Sequence, residues 1–405
     1  MRPGEVPPPA GELHRPGLYL HIPFCRNLCP FCPYNRIAYD DELFARFERA
    51  AHEEIDLIAP HVDGCEVVSL YVGGGTPTVR TDGLARLLDH LRSRLTIIGD
   101  TCIELHPANM DDACLDHLRE AGVTQVSIGV QSASDRLLQR IGRNHDAATG
   151  LDAARRAARS GFDSVNADLM FALPSQTLED WDCDVREVLD CGVDQLSTYP
   201  LFSFPYSDLG KAEGLHRVPL PPARRVRSML DCADRLARER GMERCAVWSW
   251  AKPGKKKFSS VTRHHYIGIG PSAGSMTGSH FHVNTFDVEA YADALPDRRP
   301  VALSLPVDRR LEMVYWLYWR LYELRAADRD FRALFGESAS LAGTFGAMLQ
   351  PFCWAGWLKR DDGEYRVTHT GAFRIHRLQN DYSLDYIDRL WGRCRNEAWP
   401  RAVDL

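Results

Sequence analysis

Three cysteines lie within eight residues in the stretch LYLHIPFCRNLCPFCPYN, residues 18–35. Cys25, Cys29 and Cys32 are spaced C-x3-C-x2-C, which is improbable for unrelated buried cysteines. A structural zinc site needs four nitrogen or sulfur ligands, and although His21 is near, this is not the spacing of a zinc finger or ribbon. We favour a 4Fe–4S cluster held by three thiolates, because one iron then stays open to chelate the amine and carboxylate of a substrate.

Composition narrows the class of protein. The chain has 405 residues, of which 44% are apolar and 26% charged, as in an ordinary globular protein. Its net charge of −6 gives no basic field for nucleic acid or an anionic membrane. Residues 1–17 are rich in proline and are interpreted as a flexible N-terminal arm, not as a signal peptide or a membrane span. Because the other cysteines are scattered singly, we expect a cytoplasmic protein with reduced thiols and no nucleic acid or membrane partner.

Alternating strands and helices must position the three thiols. Six β-rich runs lie between residues 18 and 205, namely LYLHIP, VVSLYVGGG, TCIELHP, QVSIGVQS, SVNADLMFA and QLSTYPLF. Helical patterns separate them, at residues 41–59, 82–94, 111–121, 146–160 and 178–190. This alternation predicts parallel βα units that cross over right-handedly into an α/β fold, a partial (β/α)6 barrel. In such a barrel chemistry collects at the C-terminal ends of the strands, where Cys25, Gly73–Gly75 and Glu104 lie.

Two further regions follow the predicted barrel. Residues 206–304 open with a helical pattern at 222–240 and are interpreted as a barrel extension that contributes to the substrate site. Residues 305–405 begin with the apolar helix LEMVYWLYWRLYEL and contain GWLKRDDGEYRVTHTG, which predicts a β-hairpin with a D-G turn. Helices followed by a hairpin indicate a C-terminal helical, winged-helix-like domain that caps the substrate.

The order of motifs along residues 18–280 resembles the radical S-adenosylmethionine superfamily. The pieces YLHIPFC, YVGGGTPT, VSIGVQS, DLMFALPSQT and GIGPSAGS are similar to the branch typified by oxygen-independent coproporphyrinogen III oxidase. The resemblance implies a catalytic 4Fe–4S cluster on Cys25, Cys29 and Cys32. It also implies reductive cleavage of S-adenosylmethionine and an external one-electron reductant, a flavodoxin or ferredoxin.

The resemblance assigns a glycine turn and a carboxylate to the S-adenosylmethionine at the cluster. Gly74, Gly75 and Thr76, in GGGTPT, would receive its methionyl amino group, since glycines let backbone amides approach a ligand. The alternative is an ordinary tight strand-to-helix turn. Glu104 would hold the ribose or the amino acid end of the same molecule. The alternative for Glu104 is an internal salt bridge, because a charge on a central strand is costly unless paired.

Two more positions are implied to touch the cluster-bound molecule. Tyr19 precedes HIPFC and would contact this cosubstrate, with a half-buried strand tyrosine as the alternative. Gly274, in PSAGS, would make a backbone contact to the adenine, with a close backbone packing point as the alternative.

A second S-adenosylmethionine is expected from Gln131, Arg143 and Asp168. Their spacings match the positions that hold a second molecule in coproporphyrinogen oxidase. Arg143 can pair bidentately with a carboxylate, Asp168 can accept from ribose hydroxyls or an amine, and Gln131 offers donors and acceptors. Phe31 would pack near the same ligand. The alternative is that Arg143 and Asp168 pair with each other at the barrel mouth.

Residues beyond the barrel strands carry weaker indications. Trp248, Trp250 and the basic run Lys252–Lys257 could form an aromatic floor and a basic lip for a substrate. Core tryptophans and a solvated turn are the interpretation we prefer. His264 and His265 are likewise interpreted as structural or solvated.

Departures from the relatives decide the predicted reaction. Cys32 is followed by Pro33 and Tyr34, where coproporphyrinogen oxidase carries C-x-C, and the H-N-x-x-Y-W motif of a heme-trafficking relative is missing before YIGIG. We therefore expect a class C methyltransferase or cyclopropanase, which transfers a methyl or methylene group to an sp2 carbon of a specialised metabolite. The substrate would be aromatic or unsaturated, free or bound to a carrier or peptide. The alternatives are a porphyrin- or heme-directed radical enzyme and a heme-binding carrier without activity.

Overall fold

The structure is a computed structural model of the chain. It describes residues 1–3, 6, 13, 15–62, 64–201, 222–259, 264–295 and 297–404. The predicted boundary between residues 205 and 206 and most of the predicted arm lie outside this part of the chain. The start of the arm is described, and there the backbone N–H of Arg2 donates to the carbonyl of Ser304 at 3.0 Å. The division into four segments therefore stays a prediction.

The six predicted strands form one continuous parallel stretch of a mixed sheet. They are β1 (Gly17–Ile22), β4 (Val67–Gly74), β5 (Ile97–Leu105), β6 (Gln125–Gln131), β7 (Ser164–Phe171) and β8 (Gln195–Pro200). They are neighbours in chain order and all pair in parallel. Their β-branched and leucine-rich sequences suit strands that are buried on both faces. The predicted α/β fold with six parallel strands in chain order is confirmed.

Both edges of this parallel stretch are extended by further strands. The remaining strands are β2 (Phe24–Cys25), β3 (Ile37–Ala38), β9 (Glu243–Ala246), β10 (Ser249–Ala251), β11 (Tyr266–Ile269), β12 (Gly274–Met276), β13 (His280–Asn284), β14 (Val301–Pro306), β15 (Arg325–Ala327), β16 (Leu358–Asp361) and β17 (Glu364–Val367). β11 pairs in parallel with β1, and β12, β13 and β14 follow in antiparallel order. β10 and β9 add antiparallel strands beyond β8. The result is a twelve-stranded mixed sheet.

Amphipathic helices cover the sheet. They are α1 (Asp41–Ile58), α2 (Thr81–Arg94), α3 (Asp112–Glu120), α4 (Asp135–Arg140), α5 (Ala147–Arg159), α6 (Leu178–Asp190), α7 (Ala223–Glu239), α8 (Val288–Ala294), α9 (Arg309–Tyr322), α10 (Asp328–Phe335), α11 (Leu341–Trp354) and α12 (His369–Asn396). Polar caps fix where several begin: Asp40 accepts from the backbone N–H of Leu43 at the start of α1, and Thr177 and Asp180 form a capping box on α6. None of the described helices is both long and apolar enough to cross a bilayer.

The C-terminal region has its own small sheet and core. β15, β17 and β16 form a three-stranded antiparallel sheet, and the predicted D-G turn joins β16 to β17 with positive φ at Asp362 and Gly363. Trp316, Phe331 and Leu349 are buried in a core separate from that of the large sheet. The helical C-terminal region with a hairpin is confirmed.

Candidate active site

The three thiols lie on the loop that follows β1, at the C-terminal edge of the parallel strands. Cys25 and Cys29 are buried and Cys32 is partly buried. The backbone N–H of Cys32 donates to the carbonyl of Cys29 at 3.1 Å, which closes a turn between these two ligands. Burial raises the pKa of Cys25 and raises that of Cys32 to about 11. These two thiols therefore lose a proton when a metal binds.

The thiols lie beside hydrogen-bond donors that suit the thiolate ligands of a cluster. Positive and polar groups surround them: Arg143 Nη1 donates to Cys29 Sγ at 3.3 Å and Thr76 Oγ1 to Cys25 Sγ at 3.6 Å. Three thiolates around a cube would gain from both contacts.

The glycine turn after β4 is pressed against the cysteine loop. The backbone N–H groups of Gly75 and Thr76 donate to the carbonyls of Ile22 and Phe24, each at 2.8 Å. A Cβ atom at position 75 would lie 2.6 Å from the Phe24 carbonyl oxygen, so only glycine fits there. Gly74 has a φ of +114°, which also requires glycine. From the sequence, an ordinary tight turn was the alternative interpretation. In the structure this turn is hydrogen-bonded directly to the segment that carries Cys25.

Glu104 does not form the internal salt bridge that was the alternative for it. Among the described residues its carboxylate has no cation within 4.0 Å, and it accepts from Tyr71 Oη at 2.6 Å and from the Gly74 N–H at 3.4 Å. Burial, opposed by the Tyr71 hydrogen bond, raises the pKa of Glu104 to about 7. The carboxyl group can therefore hold or release a proton near neutral pH.

Tyr19 belongs to a buried hydrogen-bonded chain. Its hydroxyl lies 2.7 Å from His21 Nδ1, and His21 Nε2 lies 2.9 Å from the Asn35 carbonyl oxygen. Since a carbonyl only accepts, Nε2 carries the hydrogen and Nδ1 accepts from Tyr19. Burial lowers the pKa of His21 to about 4, so the ring is neutral. From the sequence, His21 was considered only as a possible metal ligand, and this positioning role was not predicted.

The same edge of the sheet carries Gln131, Arg143 and Asp168. In the described structure their side chains form no hydrogen bonds with one another. Arg143 Nη2 donates to the Gly129 carbonyl at 2.6 Å, and Gln131 Oε1 accepts from Tyr199 at 2.5 Å. Arg143 and Asp168 form no ion pair in the described structure. Burial raises the pKa of Asp168 to about 6, opposed by the hydrogen bonds from Ser127 and Asn166 and by the Arg143 charge. A second cosubstrate at these residues remains a prediction.

A polar row across the barrel interior was not foreseen. Asp168 accepts from Ser127 and from Asn166, each at 2.8 Å, and Asn166 accepts from Ser197 at 2.9 Å. Register pairs Glu104 with Ser127, and Ser127 with Asn166. The signal was available, because polar residues alternate with apolar ones in SVNADLMF and thus share one face.

Phe31 and Gly274 lie at the periphery of this edge. Phe31 is buried with Cys29, Leu137 and Met170, so it helps to form an apolar wall beside the thiols. Gly274 begins β12, opposite Val283, on the side of β1 away from Glu104. The structure does not place Gly274 in contact with Glu104 or the thiols.

The aromatic floor and basic lip, the less favoured interpretation of Trp248, Trp250 and Lys252–Lys257, are not found beside the cysteines. Trp248 and Trp250 are buried, and their indole N–H groups donate to His376 and Asp234, each at 2.8 Å. Lys252 and Lys255 pair with Asp194, which precedes β8, at 3.3 and 3.2 Å. They therefore lie at the amino-terminal edge of the parallel strands, away from the cysteines. The tryptophans are therefore core residues, and the lysines belong to a surface turn, as we preferred from the sequence.

Comparison with known proteins assigns the family. The model of the Radical SAM superfamily matches residues 19–187. Heme chaperone HemW of Escherichia coli K12 is 32% identical over 264 residues, covering 63% of this chain and 68% of that relative. This chain belongs to the radical SAM superfamily. Heme chaperone HemW of Bacillus subtilis strain 168 is 25% identical over 362 residues, 87% of this radical SAM protein and 95% of the relative.

The fold is also that of a solved relative. The structure of coproporphyrinogen III oxidase HemN from Escherichia coli superposes with a TM-score of 0.79 over 94% of this radical SAM protein and 92% of HemN, at 23% identity. The protein belongs to the branch that contains HemW and coproporphyrinogen oxidase. The predicted 4Fe–4S cluster and S-adenosylmethionine are confirmed by family membership.

The predicted methyl or methylene transfer to a specialised metabolite is wrong. The relatives are heme chaperones, an anaerobilin synthase 32% identical over 226 residues, and a coproporphyrinogen III oxidase of Pseudomonas aeruginosa 30% identical over 311 residues. The motif departures excluded particular relatives but gave no positive sign of methyl transfer. The absence of two short motifs does not separate this chain from relatives that it resembles along up to 87% of its length.

Proposed function

We propose that this protein is a radical SAM enzyme directed at a tetrapyrrole, a porphyrin or heme. The observation that carries the proposal is the similarity to a heme chaperone along 87% of the chain, well beyond the radical SAM barrel. The other named relatives, anaerobilin synthase and coproporphyrinogen oxidase, support the same substrate class. The buried carboxyl groups of Glu104 and Asp168 at the strand ends beside the cysteines support activity rather than binding alone.

The side chains at the strand ends have separable tasks. When bound, the cluster supplies one-electron reduction of S-adenosylmethionine. The Gly74 N–H and the Tyr71–Glu104 pair would orient the cosubstrate, because their polar atoms lie beside the cysteine loop. With a pKa of about 7, Glu104 can hold a proton or accept one from an ammonium or hydroxyl group. Phe31 and Leu137 would help to exclude water from the reacting atoms.

A heme-binding carrier is the second candidate function. Two heme chaperones match 87% and 72% of the chain, and the coproporphyrinogen III oxidase of Pseudomonas aeruginosa matches 70%. A carrier would bind heme without coupling it to cosubstrate cleavage, whereas an enzyme would cleave S-adenosylmethionine faster when its tetrapyrrole is present.

One anaerobic experiment distinguishes these functions. Reconstituted protein is incubated with S-adenosylmethionine and a reductant, alone or with heme or coproporphyrinogen III, and 5′-deoxyadenosine is quantified beside the Soret spectrum. The proposal predicts that one tetrapyrrole raises 5′-deoxyadenosine formation at least tenfold and that Cys29→Ala abolishes it. A shifted Soret band with no stimulated cleavage would support the carrier instead. If neither compound binds and neither stimulates cleavage, both tetrapyrrole functions are refuted.

A further inference from the structure

Two adjacent histidines and a glutamate converge far from the cysteine loop. Glu312 Oε1 lies 2.8 Å from His264 Nε2 and 3.0 Å from His265 Nε2. The three side chains are only 13%, 4% and 13% exposed for His264, His265 and Glu312. All three potential ligand atoms lie within 4.8 Å of one another. Nothing in the proposed tetrapyrrole chemistry uses this cluster.

The convergence requires a particular backbone path. Successive side chains on an extended strand point to opposite faces, so adjacent histidines there would diverge. His264 and His265 instead occupy a bend directly before β11, which turns both imidazoles toward Glu312 in the first turn of α9. Their ring centroids lie 4.6 Å apart. The bend thus brings three potential ligand side chains together.

We propose that His264, His265 and Glu312 bind one divalent transition-metal ion, of which Zn²⁺ is the best match. Two imidazole nitrogens and one carboxylate oxygen are a common zinc ligand set, with a fourth position open to water. Tetrahedral zinc with nitrogen and oxygen ligands at about 2.0–2.1 Å needs ligand atoms about 3.3 Å apart. The observed 2.8 and 3.0 Å would therefore have to widen by only a few tenths of an ångström.

The surroundings favour retention of such an ion. The His264 ring packs near the rings of Phe335 and Tyr315, with centroids 5.7 and 6.2 Å away. This apolar shell limits the access of water and so strengthens the interaction between the metal charge and the Glu312 carboxylate.

The position of the site indicates a structural role. β11 runs parallel to β1, and Tyr266 pairs with Gly17 at the start of β1, so the histidines lie at the opposite sheet edge from Cys25. Glu312 belongs to the C-terminal region, whereas the histidines directly precede β11 of the large sheet. A bound metal would thus join the C-terminal region to the sheet edge, and its loss would leave the cluster thiols in place.

The test uses the cluster-loaded full chain, so that the cysteine thiols are occupied. The protein is dialysed against Zn²⁺ and then metal-free buffer, and zinc is measured alongside thermal unfolding. We expect one retained zinc per chain and a higher Tm with zinc in the wild type. The matched control His117→Gln, an exposed histidine on α3, should behave in the same way. Glu312→Gln and His264→Gln should lose the zinc and the Tm rise, yet keep the iron.

Co²⁺ substitution protects the test against variants that fail to fold. The wild-type spectrum should show ligand-field bands of tetrahedral or five-coordinate cobalt without thiolate charge-transfer bands, since no cysteine takes part. No saturable zinc or cobalt site in the cluster-loaded wild type would overturn the proposal. Sulfur-to-cobalt bands, or equal zinc retention by folded Glu312→Gln, would overturn it as well. None of these results depends on tetrapyrrole activity.

Discussion

Glu104 is a largely buried carboxyl group with two hydrogen-bond donors and no cation beside it in the described structure. Its folded pKa of about 7 exceeds its ordinary value of 4.5, so the folded protein keeps a proton that the unfolded chain has released. Unfolding therefore releases a proton between these values, and stability falls as pH rises through the window. Above pH 7 the cost approaches about 3 kcal/mol, from about 1.4 kcal/mol per pKa unit.

Replacing this carboxyl group should remove the penalty. We predict that Glu104→Gln is more stable than the wild type at pH 8, by about 1–3 kcal/mol, and that the difference shrinks toward zero near pH 4.5. Urea unfolding of the cluster-free protein across this pH range measures the effect. Glu187→Gln, on the exposed face of α6, is the control and should show no such trend. A Glu104→Gln difference that is constant with pH would contradict the buried-charge explanation.

At the residue scale, the sequence identified chemical types better than it identified their partners. Glu104 was recognised as a costly charge on a central strand, but Tyr71 was not recognised as its donor. The pairing depends on register between β4 and β5, which includes an irregularity near Val67 and Ser69. Local pattern carries no information about such cross-strand register, and the same limit hid Ser127 beside Asp168.

The turn from Gly73 to Thr76 shows how an element can be fixed by one close approach. We predict that Gly75→Ala lowers the free energy of unfolding by about 2 kcal/mol or more, because the added Cβ meets rigid Phe24 backbone. Iron retention after reconstitution should fall with it. Gly346→Ala is the matched control: it lies inside α11 with nothing within 4 Å of the added Cβ, and should be neutral or slightly stabilising. Equal stability of the two variants would contradict the close approach.

The end of α12 contacts the cysteine loop directly. Arg395 Nη2 donates to the Pro33 carbonyl at 3.0 Å and also to the Tyr34 carbonyl, and the Trp391 ring lies 6.0 Å from that of Tyr34. The C-terminal helix therefore supports the loop immediately after Cys32.

Removing this support should loosen the loop. A charged hydrogen bond contributes about 1.5–3 kcal/mol, so Arg395→Ala should accelerate cluster loss to a chelator by about tenfold or more. Loss of cluster absorbance under anaerobic conditions gives the rate. Arg393→Ala, whose side chain is half exposed and pairs with Glu397 at 2.7 Å, should match the wild type. Equal rates for all three proteins would show that α12 does not support the loop.

At the element scale, regular patterns were predicted well and long-range pairings poorly. Alternating strand and helix signals predicted six of the parallel strands, and the D-G dipeptide predicted the hairpin of β16 and β17. The pairing of β11 with β1 was missed, because YIGIG is short and rich in glycine and its partner lies some 250 residues away in sequence. The partners of Lys252 and Lys255 were also missed, since a run of lysines does not reveal the aspartates that meet it in space.

At the scale of the whole molecule, similarity along most of the chain tested the predicted reaction better than any single motif did. Pro33 and Tyr34 follow Cys32 in place of the C-x-C pattern of coproporphyrinogen oxidase. This departure led to the prediction of methyl or methylene transfer. Similarity along 87% of the chain to a heme chaperone overturned it. The cysteine spacing indicated the iron–sulfur cluster and the family resemblance implied S-adenosylmethionine, whereas the substrate depends on a cavity surface that short motifs do not encode.

The proposed activity depends on an iron–sulfur cluster bound by Cys25, Cys29 and Cys32. Iron, sulfide and zinc analysis of the anaerobically reconstituted protein, with EPR spectra recorded before and after addition of S-adenosylmethionine, tests it most directly. We predict brown protein with about four irons per chain, a spectrum that changes with S-adenosylmethionine, and loss of both in Cys29→Ala. Colourless protein that holds zinc on its cysteine thiols and no iron would contradict the account.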